Sequence, residues 1–342
     1  MDDQNKNLIL ATGLSFLVIL VWFVLFPPPT PEIDPNAPAT VQSQDGATGT
    51  DIALLPPAAG DGSAAPADAT AATTVPAAPR LPIDTPELEG SISLIGGRID
   101  DLSLRGYFET LDEGSPIVRL LAPVGSADPY YALYGWAPGG DLGFEDVPGA
   151  NTEWRVEQGE TLTPESPVTL VWENGKGLIF RRVVSIDANF MFSVTQSVEN
   201  TGAAAVRLAP YGIVARHGLP DDLQNFFILH EGVVRKVDGQ LDELAYDDIP
   251  DLDVVAREGA AAEVVEVAAD GWIGFTDKYW MTTLIPGADQ PFSSVTKYVA
   301  NADIYQTEAR LPAMTVEAGQ SAEVTTLLFA GAKEWETIRT YQ

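Results

Sequence analysis

From Gly90 onward, apolar and polar residues alternate in short runs that are separated by turn residues. A two-residue period of this kind is typical of half-buried β-strands. Strands do not alternate with long helical patterns, so antiparallel pairing is favoured over parallel pairing. The expected strands number fifteen or more and include SISLI (91–95), RIDDLSL (98–104), IVRLL (117–121), YYALYGW (130–136), VTLVW (168–172), LIFRRVVSI (178–186), FMFSVTQSVEN (190–200), VVRKV (233–237), QLDEL (240–244), EVVEV (263–267), WMTTLI (280–285), FSSVTKYV (292–299), IYQTEA (304–309) and AEVTTLLF (322–329).

Turn residues predict three hairpins. Asn174–Gly175 and Asp238–Gly239 each separate two apolar runs, and both pairs tolerate the positive φ of tight hairpin turns. In the aromatic stretch GWIGFTDKYWMTTLIPG (271–287), Asp277 and Lys278 are expected to form a turn between two strands. Its four aromatic residues are expected in the core or along the wall of a cleft, because both faces of the second strand alternate as in a buried strand.

The strand pattern predicts an all-β fold, with one large antiparallel β-sandwich over residues 90–331. No internal segment rich in Pro and Gly divides it. In FMFSVTQSVEN, the residues Phe190, Phe192 and Val194 share one face, which we expect to point inward, although the pattern also permits the reverse. The sequence AKEWETIRTYQ predicts the start of a short C-terminal helix over residues 332–342.

The uncharged stretch Leu8–Phe26 predicts a transmembrane helix. At about 1.5 Å per residue it spans roughly 28 Å, close to the thickness of a bilayer core of about 30 Å. A cleaved signal peptide is the alternative, but it has a shorter apolar region and a cleavage site of small residues. Here Pro27–Pro29 follow directly, so a retained anchor is favoured.

Basic residues predict the orientation of this anchor. Lys6 precedes the helix, and no further Lys or Arg occurs before Arg80. By the positive-inside rule, residues 1–7 are cytoplasmic and the main domain lies across the membrane. Residues 27–89 are dominated by Pro, Ala, Gly, Thr and Asp and bury too little apolar surface to offset the entropy of ordering. They predict a disordered linker.

Charge and cysteine content exclude several classes of partner and site. Lys and Arg number 19 against 49 Asp and Glu, which gives a formal net charge of −30. Such a chain repels phosphates, so nucleic-acid binding is disfavoured. The chain has no Cys, which excludes disulfides, haem thioether attachment and cysteine-based zinc sites.

Histidines are the first candidates for chemistry. His217 is placed in a loop after an expected strand, near Asp221 and Asp222. A solvated or backbone-bonded imidazole is the common outcome there, and an acid–base site for sugar epimerisation is the alternative. His230 and Glu231 do not form such a site within a strand, because adjacent side chains point to opposite faces.

Known catalytic and metal-binding motifs are absent from the sequence. It contains no His-Glu-x-x-His, no Gly-x-Ser-x-Gly and no phosphate-binding loop. The acidic run Asp242–Asp253 lacks the glycine and the ligand register of a calcium loop and predicts a solvated loop. We therefore expect no catalytic residue, cofactor or metal. The candidates for a cleft or a partner contact are Arg216, His217, Trp272, Tyr279 and Trp280.

Several phrases resemble, in order, the YidC family of bacterial membrane-protein insertases. They are MDDQNKNLILA before the apolar helix, then GSISLIGGRIDDLSLRGY, RLLAPVGSADPYYALYGW, VTLVWENGKGLIFRR, MFSVTQSVENTG, YGIVARHG, LHEG, GWIGFTDKYW and EVTTLLFAGAKE. The resemblance covers nearly the whole chain apart from the linker, whose alanine- and proline-rich composition resembles that of alphaproteobacterial members.

The resemblance implies a first transmembrane helix and a periplasmic β-supersandwich similar to galactose mutarotases. It implies that the chain is the anchor and periplasmic portion of a non-enzymatic insertase in the bacterial inner membrane. The five-helix insertase core, with its groove arginine, is expected outside this sequence. Implied partners are the Sec components SecYEG and SecDF, nascent membrane proteins and the bilayer around Leu8–Phe26. The alternative is a membrane-tethered carbohydrate-binding or sugar-epimerase-like domain.

Overall fold

Two large antiparallel sheets form the fold in the computed structural model, which describes residues 78–220, 223, 229–334, 339 and 341. The strands within these residues are β1 (Arg80–Asp84), β2 (Leu88–Ser93), β3 (Arg98–Phe108), β4 (Ile117–Leu121), β5 (Tyr130–Gly139), β6 (Arg155–Gln158), β7 (Val168–Glu173), β8 (Leu178–Ile186), β9 (Met191–Asn200), β10 (Val206–His217), β11 (Gly232–Val237), β12 (Gln240–Ala245), β13 (Val254–Val255), β14 (Ala260–Val267), β15 (Trp272–Thr276), β16 (Trp280–Pro286), β17 (Phe292–Val299), β18 (Ile304–Arg310), β19 (Met314–Val316) and β20 (Ser321–Ala332).

The first sheet has 11 strands, in the order β1-β2-β3-β5-β10-β18-β17-β14-β13, with β4 paired to β3 and β19 to β10. The second has nine strands, in the order β12-β11-β15-β16-β20-β9-β8-β7-β6. Two short 3₁₀ helices, Phe144–Asp146 and Tyr246–Asp251, lie in the connections. The predicted all-β antiparallel sandwich is therefore confirmed.

Alternation along β9 shows why these residues form a sandwich. Phe192 and Val194 are buried, and Phe190 just before the strand is buried with them, so the expected inward face is correct. The main core fills the space between the sheets and gathers side chains from most strands. A second, smaller cluster lies on the opposite face of β5 and β10 and includes Tyr131 and Ile213.

All three predicted hairpins are present. β7 pairs with β8, β11 with β12, and β15 with β16. Asp238 and Gly239 both have positive φ, as the tight turn requires. The first turn is longer than a two-residue loop: the Asn174 side chain accepts hydrogen bonds from the amides of Lys176 and Leu178 at 2.8 and 3.1 Å.

The sheet begins earlier than the sequence pattern indicated. β1 spans Arg80–Asp84, and β2 begins at Leu88, within the segment 27–89 that was expected to be disordered. That prediction is wrong for residues 80–89. β1 is an edge strand, where a proline is tolerated, and the Pro82 carbonyl accepts a hydrogen bond from the Leu162 amide at 2.8 Å. Leu81 and Ile83 are both buried.

Arg182 joins the two sheets through hydrogen bonds to backbone carbonyls. This buried residue of β8 donates to the Gly96, Gly97 and Tyr134 oxygens at 3.1, 2.8 and 2.6 Å. Its guanidinium also stacks on Trp154, with 4.5 Å between Cζ and the ring centroid. Burial lowers the pKa of Arg182 to about 10, so it remains charged at neutral pH.

The predictions for both termini fall largely outside the described residues. This holds for the cytoplasmic segment 1–7, the anchor Leu8–Phe26 and the linker up to residue 77. Among the described residues, no helix has the length and apolar character needed to cross a bilayer. The C-terminal helix was expected from residue 332, but β20 extends to Ala332, and only residues 333, 334, 339 and 341 are described beyond it.

Candidate functional site

A cleft of about 670 Å³ opens beside the β15–β16 turn, where β3, β4, β5 and β10 reach one end of the sandwich; we call it the hairpin cleft. Its lining residues are Phe108, Glu109, Val118, Arg119, Leu120, Ala122, Ser126, Ala127, Asp128, Tyr130, Arg216, His217, Leu219, Pro220, Asp277, Lys278, Tyr279 and Trp280.

An ion pair between Arg216 and Asp277 forms the floor of the hairpin cleft. Arg216 is near the end of β10, and Asp277 follows β15, so the pair connects the two sheets. The guanidinium nitrogens Nη1 and Nη2 lie 3.2 and 3.0 Å from the two carboxylate oxygens. Both side chains are largely buried, and a bidentate geometry of this kind fixes the turn as well as neutralising the charges.

Two tyrosines contact this ion pair. The Arg216 Cζ atom lies 4.3 Å from the Tyr130 ring centroid, within the range of a cation–π contact. The Tyr246 hydroxyl donates to Asp277 Oδ1 at 3.1 Å, so the carboxylate has a second donor. Burial acts to lower the pKa of Arg216, but the Tyr246 hydroxyl and the Asp277 carboxylate outweigh it and raise that pKa. Burial raises the pKa of Tyr130 above its ordinary value.

The turn is also attached to the chain that leaves β20. The Lys333 amide donates to the Tyr279 carbonyl at 2.9 Å. The Lys333 ammonium donates to Thr276 Oγ1 at 2.9 Å and to the Asp277 carbonyl. Burial lowers the pKa of Lys333, and the charge of Asp277 acts in the opposite direction.

Aromatic side chains form one wall of the hairpin cleft. Trp280 packs edge-on against Tyr107 at 5.0 Å between ring centroids and against Tyr279 at 6.0 Å. Tyr279 stands at the rim with 62% of its surface exposed, and Phe108 is 59% exposed. This wall therefore presents apolar surface to solvent in the structure of the chain alone.

His217 is the last residue of β10 rather than a loop residue, which corrects the sequence-based placement. Its amide donates to the Pro129 carbonyl at 2.9 Å, and its Nε2 lies 3.4 Å from the Tyr131 hydroxyl. Burial lowers the pKa of His217, with Asp303 acting to raise it and Arg98 to lower it further. The environment of His217 therefore favours the neutral form of the imidazole.

The remaining polar candidates take structural roles. His230 Nε2 lies 2.8 Å from the Val233 carbonyl, a local backbone contact. The run Asp242–Asp253 was expected to be a solvated loop, but it contains part of β12 and a 3₁₀ helix that buries Tyr246. Within the described ranges, no group of three His, Asp or Glu side chains is arranged to hold a metal ion.

Four of the five candidate residues meet at one place. Arg216, His217, Tyr279 and Trp280 all line the hairpin cleft, and their role in binding stays a prediction. Trp272 does not join them. It lines a separate groove of about 840 Å³ together with residues of β16 and β20.

Sequence reasoning missed Asp277, Tyr130, Tyr246 and Lys333 as members of the site. Asp277 was expected only as a turn residue, although it is buried. The only local signal was its position in the aromatic stretch. The other three residues come from distant strands and loops, and only the sheet order brings them to the turn.

Comparison with known proteins assigns this sandwich to a class of bacterial periplasmic domains. The family model described as YidC periplasmic domain matches residues 80–342. The membrane protein insertase YidC of Jannaschia sp. (strain CCS1) is 68% identical over 345 residues, and that of Dinoroseobacter shibae is 66% identical over 344 residues. The chain belongs to the YidC family of membrane protein insertases. The alignments cover 100% of this chain but 55% and 56% of those proteins, so it spans about half their length.

Solved structures resemble the domain only distantly. A galactose mutarotase-like protein from Lactobacillus casei ATCC 334 has a TM-score of 0.44 and 13% identity, covering 74% of this chain and 100% of that chain. The GH36 alpha-galactosidase AgaA from Geobacillus stearothermophilus has a TM-score of 0.42 and 10% identity, covering 74% and 41%. At these identities the likeness concerns the fold alone.

Proposed function

We propose that the chain is the anchor and periplasmic portion of an insertase that helps integral proteins enter and fold in the inner membrane. The observation that supports this proposal best is the family match over residues 80–342, together with 68% identity to a relative named membrane protein insertase YidC. The insertion step itself is physical, because polar segments need a path that avoids exposing their polar groups to lipid.

In this proposal the β-sandwich is a binding module without covalent chemistry. Its hairpin cleft contacts emerging substrate or the Sec components SecYEG and SecDF. The apolar rim at Phe108 and Tyr279 supports a docking role, since exposed apolar patches commonly mark interaction sites. The predicted helix Leu8–Phe26 holds the module in the inner membrane, and the linker lets it reach partners on the periplasmic side.

Controlled repression of the gene in its host tests this proposal. A reporter inner-membrane protein with a short periplasmic loop is labelled, and protease accessibility of the loop measures its insertion. Repression is expected to lower insertion of the reporter, while export of a soluble periplasmic protein serves as the control. Unchanged insertion after full loss of the protein contradicts the proposal.

An epimerase role is the second class of function for this fold. It requires a proton-transferring residue, and His217 is the candidate on sequence grounds. The His217 Nε2 atom lies 3.4 Å from the Tyr131 hydroxyl oxygen, which is not a carboxylate oxygen. We expect the full chain and its His217→Ala variant to leave the interconversion of α- and β-galactose at the buffer rate. A rate above buffer that is lost in the variant would support the enzyme instead.

A further inference from the structure

The rim of the hairpin cleft combines exposed apolar side chains with acidic ones. Phe108, Leu219 and Tyr279 are 59%, 41% and 62% exposed, although each is a large apolar or aromatic residue. Glu109 and Asp128 line the same cleft and are exposed. Exposed apolar surface is costly in water, so this arrangement favours an occupant that covers it.

Two of the three Lys and Arg residues that line the cleft are paired with carboxylates. Arg216 is paired with Asp277 at 3.0 Å, and Arg119 is paired with Asp101 at 2.7 Å. In the part of the chain that the structure describes, neither Glu109 nor Asp128 forms an ion pair. Outside these two pairs, the lining carries one positive charge, on Lys278, and two negative charges, on Glu109 and Asp128, so its remaining charge is negative beside the apolar wall.

The loop between β3 and β4 extends this character away from the cleft. After Phe108, this loop contains Leu111, which is fully exposed, and the exposed acids Asp112 and Glu113. An anionic bilayer surface is repelled by such a rim, and a second copy of this acidic chain is repelled as well. A polypeptide with apolar side chains next to Lys or Arg is attracted by both features at once.

On these grounds, and resting on the proposed function, we propose that the hairpin cleft binds polypeptide segments in which an apolar run is followed directly by basic residues. The apolar run packs against Phe108, Tyr279 and Trp280, and the basic residues pair with Glu109 and Asp128. Charge complementarity provides selectivity at the rim, while burial of apolar surface provides most of the affinity.

Peptide titration of the full chain in nanodiscs tests this proposal. The probe is a soluble peptide with four apolar residues followed by four lysines, and its matched control carries four glutamates instead. Empty nanodiscs supply the blank. The lysine peptide is expected to bind at least tenfold more tightly than the glutamate peptide, and its affinity falls as salt rises from low to high concentration.

Paired variants locate the binding. Glu109→Lys with Asp128→Lys is expected to weaken the lysine peptide about tenfold, since two exposed charge pairs become repulsive. The control variant combines Glu317→Lys with Glu323→Lys, an equal charge change at exposed positions outside the cleft. It is expected to bind the lysine peptide within twofold of the wild-type affinity. Phe108→Ser removes an exposed side chain and is expected to weaken both peptides without affecting folding.

Three results would overturn the inference. The first is equal affinity for the two peptides, and the second is equal loss in the cleft and control variants. The third is a Phe108-dependent association of the chain with zwitterionic lipid vesicles and not with the peptide, which makes the bilayer the occupant. If the peptide fails to bind while repression of the gene still blocks membrane insertion, the inference falls and the proposed function stands.

Discussion

At the residue scale, the Arg216–Asp277 pair fixes the shape of the hairpin cleft. Both side chains have lost most of their water, so each charge depends on the other and on the hydroxyl of Tyr246. The backbone carbonyl of Asp277 also accepts a hydrogen bond from the Lys333 ammonium. Asp277 therefore contacts both the floor of the hairpin cleft and the segment that follows β20.

Replacing Asp277 by Asn is expected to lower the free energy of unfolding by about 3 kcal/mol, because it leaves the buried Arg216 charge without a counter-charge. Urea unfolding followed by tryptophan fluorescence measures this loss. Asp270→Asn is the matched control, since its pair with Lys236 is exposed and contributes less than about 1 kcal/mol. Equal losses in both variants would show that the buried pair does not stabilise the site.

A second buried charge network makes stability depend on pH. Glu258 accepts two hydrogen bonds from Arg310, at 2.7 and 2.5 Å, and lies 3.7 Å from the Lys297 ammonium. Burial acts to raise the pKa of Glu258, but Arg310 and Lys297 outweigh it, so the pKa is lowered. The unfolded state then binds this proton more readily than the folded state does.

The stabilisation from Glu258 is therefore complete above the ordinary carboxyl pKa and is lost as pH falls through the lowered value. We expect the free energy of unfolding of the wild type to fall more steeply below about pH 5 than that of Glu258→Gln. Urea titrations at several pH values between 3 and 7 measure both slopes. Parallel slopes for the two proteins would contradict this assignment.

At the element scale, the β15–β16 hairpin positions the aromatic wall, and its strands approach each other closely. A Cβ atom added at Gly274 would lie 2.0 Å from the Thr282 carbonyl oxygen and 2.5 Å from the Thr283 Cα. Neither contact is with a flexible side chain, so the backbone itself has to move. The hairpin carries Tyr279 and Trp280, and such a movement therefore reaches the cleft.

Gly274→Ala is expected to destabilise the domain by about 1–3 kcal/mol through overpacking. The matched control is Gly149→Ala, where an added Cβ meets nothing within 4 Å and where φ is ordinary. That change is expected to alter stability by less than about 1 kcal/mol. Thermal unfolding followed by circular dichroism compares them, and a control that is as unstable as Gly274→Ala would argue against the close approach.

The sequence predicts strands well where polar and apolar residues alternate, as in β8 and β9. It predicts them poorly where that signal is weak. β6 is exposed at all four residues, and β1 carries Pro82 within a proline-rich context. β10 is central in its sheet, but it contains Pro210 and Gly212 and its burial is nearly continuous, so it shows no alternation.

Predicting the site from sequence requires the sheet order as well as the strands. The aromatic turn was visible in the sequence, and so were Arg216 and His217. Their meeting depends on pairs that lie far apart in the chain, such as Arg216 with Asp277, 61 positions later. Trp272 was grouped with the turn because it is near in sequence, but its side chain lines another groove.

At the scale of the whole molecule, the described domain is a two-sheet sandwich within a chain of net charge −30. That charge keeps phosphate-rich partners away and favours basic ones. The exposed Phe108 and Tyr279 side chains add apolar surface to this acidic domain at the hairpin cleft, where we propose that a polypeptide partner binds. A polypeptide partner agrees with membership of this family, because the relatives are named membrane protein insertases.

Site-specific photo-crosslinking in living cells tests the central claim, that the domain binds its partners through the hairpin cleft. A photoreactive phenylalanine replaces Tyr279 in the full gene product, and the control position is Val254, which is 76% exposed in the edge strand β13. We predict adducts with nascent membrane proteins or Sec components at Tyr279 and not at Val254. Adducts that are absent at Tyr279, or equally abundant at both positions, would contradict the account.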